Sequence, residues 1–176
     1  MSDYVKKAIR TESIVGADVR VANVFSNLSM LNEELFSTVE IMADGLKKYI
    51  YYGKKSPHIN IEETALDGIP KHTVTEQQLR LLHAGLGLLT EAQEFLAPVI
   101  YSISHGGKLD LVNLKEELGD MMWYEAIACD TLGTTFEEEQ DRNIAKLTKR
   151  YPEKFTEELA INRDVAAERE VLEGNK

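Results

Sequence analysis

Apolar residues recur at spacings of three, four and seven through most of this chain, and residues that would interrupt a helix fall in a few short stretches. That period matches the 3.6-residue turn, and alternating strand-type runs are scarce, so the pattern points to an all-α fold. Val21, Val24, Leu28, Leu31, Leu35, Met42, Leu46 and Tyr49 carry one stripe over 18–52, as in a helix that buries one face. Residues 53–75 hold Pro57, Gly68 and Pro70 without a sustained period and read as a loop. Thr75, followed three residues later by Gln78, has the form of a capping box.

Residues 76–104 are rich in Leu on more than one side, the composition of a central helix, and Pro98 predicts a kink or an early end. SHGGK at 104–108 reads as a turn, and Asp110 as the N-cap of a helix over 111–131. Leu111, Leu114, Leu118, Met121 and Met122 form the expected apolar face of that helix, and Gly133 its stop. Thr134 or Thr135 opens a further helix to about Arg150, closed by Tyr151-Pro152. The stretch 157–173 has a thin stripe of Leu159, Val165 and Leu172, fitting a docked helix or a frayed tail. The expectation is one structural domain, a bundle of four to five helices. An N-terminal arm and loop (1–75) precede a helical core (76–155) and a helical tail (156–176).

Charge narrows the function classes. The 176 residues carry 20 Lys and Arg against 30 Asp and Glu, a net charge of −10. Such a surface disfavours nucleic-acid polymers and anionic membranes. It leaves open a phosphorylated small molecule, because a bound cation inverts the local field. The single cysteine, Cys129, excludes an intrachain disulfide, and the N-terminus has no apolar leader segment. No run approaches the roughly 18 apolar residues that span a bilayer. A cytoplasmic protein is expected.

The sharpest chemical pattern is a pair of acidic pairs. Glu91 and Glu94 are three apart in TEAQE, and Glu117 and Asp120 three apart in EELGD. At this spacing two side chains share one side of a helix. Two such pairs on neighbouring helices bring four carboxylates together, and their repulsion in an apolar bundle calls for cations. All-oxygen donors select Mg²⁺, with Mn²⁺ as the alternative. A lone Glu-x-x-Glu is more often a solvated helix face, but these pairs lie in the most apolar segments. A di-iron centre wants Glu-x-x-His. None of the four histidines, His58, His72, His83 and His105, has Glu three residues before it. A second cluster, Asn143, Lys146 and Arg150, shares a helix face by the same spacing. These residues suit a polyphosphate held opposite the acids; the alternative is cations that complement a helix C-terminus.

Together, LRLLHAGLGLLTEAQEF (79–95), VNLKEELGDMMWYEAIACDTLG (112–133) and NIAKLTKRYPEKF (143–155) resemble the MazG-like all-α nucleoside triphosphate pyrophosphohydrolases. INRDVAAERE (161–170) is similar to tails of phage-type members. The resemblance implies that Glu91, Glu94, Glu117 and Asp120 are the magnesium ligands and form the catalytic set. It implies that Lys146, Arg150 and Asn143 hold phosphate or sugar; of Trp123 and Tyr124, one turn from the acids, one is expected to face the base, Trp123 being the candidate, against the commoner fate of core packing. The implied reaction cleaves a (d)NTP between its α- and β-phosphates, giving a nucleoside monophosphate and pyrophosphate. Homodimers or homotetramers are implied as well. The alternatives are a dUTP- or dCTP-directed enzyme, a phosphoribosyl-ATP pyrophosphohydrolase, or a catalytically silent helical nucleotide-binding or oligomerisation protein. Residues 1–75 lie outside the motif.

Overall fold

The computed structural model describes residues 3–12, 40–54 and 74–174, and they contain seven helices and no strand. These are α1 (Asp3–Ile9), α2 (Glu40–Tyr52), α3 (Glu76–His105), α4 (Leu111–Leu132), α5 (Phe136–Arg150), α6 (Glu157–Ile161) and α7 (Val165–Glu173). The stripe expected over 18–39 and most of the 53–75 loop fall outside the described residues. The fold is all-α, as the periodicity predicts. The chain divides into two compact units, one holding α2, α3 and α4 and the other α1, α5, α6 and α7.

In the first unit, α3 packs along α4, and α2 packs on α3. The start of α3 is fixed by the predicted capping box: Thr75 accepts from the Gln78 backbone N–H at 3.1 Å, and the Gln78 side chain accepts from Thr75 N–H at 2.9 Å. The helix does not end at Pro98 but runs on to His105. Proline removes a single backbone donor, and a 30-residue helix packed on two neighbours keeps its remaining bonds. Gly106, at φ 71°, supplies the left-handed C-terminal cap. Asp110 then caps α4, its Oδ1 accepting from the Val112 and Asn113 N–H groups at 2.9 and 3.2 Å. At the opposite end of the pair, Arg80 of α3 binds Asp130 of α4. The two helices are therefore antiparallel, in a register that sets Glu91 opposite Glu117.

The buried faces differ from the expected ones. On α4 the buried residues are Leu114, Glu117 and Tyr124, whereas Leu111, Leu118 and Met122 are exposed. On α2, Ala43 and Lys47 are buried while Met42 and Tyr49 are exposed. In both cases a charged side chain takes an inward position, and several residues of the expected apolar stripe turn outward. Periodicity finds a helix and its stripes, but it does not say which stripe faces inward.

In the second unit, α1 and α7 each pack on α5. Thr135 caps α5 and forms a capping box with Glu138. The expected single tail segment is two short helices, α6 and α7, the second capped by Asp164. Among the described residues no helix is long and apolar enough to cross a membrane.

Candidate metal centre

The antiparallel register of α3 and α4 brings Glu91, Glu117 and Asp120 together, with one carboxylate oxygen from each lying within 4.8 Å of the others. Glu91 and Glu117 are buried, 8% and 6% exposed, and Asp120 opens to solvent. Glu94, one turn beyond Glu91, is exposed and is not one of these three. Asn113 Nδ2 donates to Glu117 Oε1 at 3.1 Å, which orients that carboxylate. Burial pushes the Glu117 carboxyl above its ordinary range, and the charges of Glu91, Asp120 and Glu116 push the same way; the Asn113 hydrogen bond pulls against them.

A group absent from the sequence expectations completes this cluster. Lys47 of α2 is 6% exposed. Its ammonium donates to Thr90 Oγ1 at 2.8 Å and to Glu91 Oε1 at 3.3 Å. Thr90 Oγ1 also lies 3.2 Å from Glu91 Oε1. Lys47 Nζ stands 5.3 Å over the Tyr124 ring, within cation–π range. Tyr124 reaches this position because position 87 is glycine: a Cβ there would lie 2.1 Å from the Tyr124 ring. The only sequence signal for Lys47 is its place four residues after Ala43, on the small-residue face of α2.

Aromatic side chains line one flank. His83 stacks on Tyr51 at 4.0 Å and meets Trp123 and Tyr124 edge-on at 6.1 and 5.7 Å. Burial and the Lys47 charge hold the His83 imidazole below its usual value. Trp123 keeps 54% of its surface exposed, beside the Tyr124 ring at 4.7 Å.

Asn143, Lys146 and Arg150 all lie on α5, in the other unit. Asn143 Nδ2 donates to the Tyr4 hydroxyl at 3.0 Å. Arg150 makes a two-point contact with Glu168 of α7, Nε at 2.8 Å and an Nη at 2.5 Å. Arg163 donates to the same carboxylate at 2.8 Å. Lys146 is half-buried.

The donor set around Glu91 fits a hard divalent cation. Every ligand atom is a carboxylate oxygen, with no His or Cys in the group. Oxygen ligands of one octahedral Mg²⁺ stand about 3–4 Å apart, so three oxygens within 4.8 Å need only side-chain adjustment to share an ion.

No curated protein and no solved structure matches the chain at a significant level. The family model described as the MazG nucleotide pyrophosphohydrolase domain matches residues 81–155. The match covers most of α3 and all of α4 and α5, and so takes in Glu91, Glu117 and Asp120 but not Lys47. Over residues 81–155 this chain is therefore similar to the MazG nucleotide pyrophosphohydrolase domain, the all-α family its motifs resemble.

Proposed function

We propose that this protein is a magnesium-dependent nucleoside triphosphate pyrophosphohydrolase that cleaves a (d)NTP between the α- and β-phosphates, releasing a nucleoside monophosphate and pyrophosphate. The observation that carries this reading is the trio Glu91, Glu117 and Asp120, three oxygen donors within 4.8 Å on two antiparallel helices. They are the ligands in this reading, and Glu94, one turn from Glu91, is the acid assigned to accept a proton from the attacking water. A divalent ion held by the trio supplies Lewis-acid activation of water and offsets charge on the phosphoryl oxygens. Asn113 holds Glu117 in place, so that ligand is oriented in advance, while Lys47 and Thr90 hold Glu91 when no metal is bound. Asp120, at the solvent edge, leaves room for substrate phosphates. The exposed Trp123 ring, next to Tyr124, is the surface on which a nucleobase would stack.

We also read the chain as a homodimer or homotetramer, supported by the apolar Leu111, Leu118 and Met122 that α4 leaves exposed. The test of activity is pyrophosphate release from a panel of NTPs and dNTPs with Mg²⁺ and with EDTA. Monophosphate and pyrophosphate should appear in equal amounts, only with metal, and be lost in Glu117→Gln. Release of orthophosphate, or no turnover of any nucleotide, overturns the reading.

A further inference from the structure

Lys47 is an unusual neighbour for a cation site. Its ammonium is buried, lies 3.3 Å from Glu91 Oε1 and 4.0 Å from Asp44 Oδ1, and faces the Tyr124 ring. Asp44 itself is bound more closely by Lys48, at 2.6 Å, so the buried charge of Lys47 is answered chiefly by Glu91. The α2 helix that carries it lies outside the segment matched by the family model.

We propose that Lys47 is the resident counter-cation of the acid cluster, competing with the divalent ion for Glu91 and limiting the cluster to one such ion. The proposal rests on the metal-site reading above. Three carboxylates contribute a charge of −3 and the ammonium +1, leaving −2, which one divalent ion balances. Without metal, the ammonium keeps two buried carboxylates from facing each other uncompensated. With metal, the same ammonium, buried beside Glu91, repels the incoming ion at short range. Because Thr90 Oγ1 accepts from Lys47 at 2.8 Å, the ammonium keeps a hydrogen-bond partner when Glu91 turns to a metal.

The experiment is a Mn²⁺ titration followed by electron paramagnetic resonance on the full chain, without nucleotide, for wild type, Lys47→Met and Lys47→Gln. Thermal unfolding is run in parallel in EDTA and in Mn²⁺. Wild type should bind one Mn²⁺ per chain. Both variants should bind it at least ~10-fold more tightly, the least expected for lifting a like charge from a buried site. Both should melt lower than wild type in EDTA and recover in Mn²⁺, because the ion replaces the lost ammonium. Variants that fold only with Mn²⁺ support the proposal equally. Equal or weaker Mn²⁺ binding by folded variants overturns it while leaving the metal site standing, as do variants that stay unfolded with Mn²⁺. No Mn²⁺ binding by any of the three chains overturns the metal-site reading and this proposal with it. Binding by the variants but not by wild type marks Lys47 as the dominant competitor.

Discussion

Glu168 and Glu117 are both buried carboxylates, 3% and 6% exposed, yet their surroundings have opposite charge ratios. Glu168 receives two guanidinium groups, from Arg150 and Arg163, each through two nitrogens. These hydrogen bonds and charges hold its carboxyl down at about 2. Glu117 has an amide from Asn113 for a partner and two acids, Glu91 and Asp120, for close company, and its carboxyl is pushed up. One cluster is satisfied from within the chain. The other has three acids and one ammonium, a surplus of negative charge that the chain itself leaves unbalanced. A buried carboxylate with excess donors tells of architecture, and one short of cations tells of a ligand.

The contrast predicts opposite outcomes for the same chemical change. Glu117→Gln should lower pyrophosphate release by about 10³-fold, the scale of losing a central electrostatic group. Its melting temperature without metal should stay level or rise, because a like charge leaves the cluster. Glu168→Gln should do the reverse in kind. It leaves the Arg150 guanidinium, itself largely buried, facing a neutral amide, at a cost of about 3–5 kcal/mol. At roughly 2–4 °C per kcal/mol for a chain of this size, calorimetry should see a fall of about 6–20 °C. A Glu117→Gln chain that melts far below wild type would erase the distinction between the two clusters.

Acid should separate them next. The Glu168 carboxyl is depressed from its ordinary value of 4.5 to about 2 in the folded chain. A depressed acid stabilises the fold above its unfolded value, and that contribution is lost as pH falls through the folded one. Stability should therefore decline between about pH 5 and pH 2, by up to about 3 kcal/mol from this group. Urea unfolding at stepped pH should show the decline in wild type and a shallower one in Glu168→Gln. Equal slopes would mean that Glu168 is not the anchor of its unit.

The sequence made one cluster legible and hid the other for a physical reason. Glu91 with Glu94, and Glu117 with Asp120, are local i,i+3 pairs, and one turn joins their helices, so spacing alone brings them into view. The trio that forms includes Glu91, Glu117 and Asp120. Lys47 and Glu91 are 44 residues apart and meet by packing of α2 on α3, which no local period encodes. Arg150 illustrates the reverse problem. Its spacing from Asn143 and Lys146 reads as a phosphate-binding face, yet Glu168, 18 residues on, takes both arms of its guanidinium. Glu168 sits in a charged tail with only a thin apolar stripe, and its burial depends on how α7 docks. Helix starts were the most legible feature, because Thr75, Asp110 and Thr135 act within three residues of themselves.

The smallest expected effect probes the acid-rich cluster without touching a carboxylate. Gly87→Ala adds a methyl group that would lie 2.1 Å from the Tyr124 ring, so the ring that backs Lys47 must move. Overpacking of this kind costs about 1–3 kcal/mol, and the gain in helix propensity returns about 1, leaving a net loss of about 1 kcal/mol. Gly85→Ala is the matched control on the same helix: a Cβ there meets nothing within 4 Å, so only the propensity gain applies and stability should rise by up to about 1 kcal/mol. The two alanines should therefore move the urea midpoint in opposite directions. Gly87→Ala alone should also loosen the hold of Lys47 on Glu91, which reads out as a change in Mn²⁺ affinity that Gly85→Ala does not share. If both variants shift the midpoint alike and leave Mn²⁺ binding untouched, Tyr124 does not set the position of Lys47, and the cation is held by Thr90 and Glu91 alone.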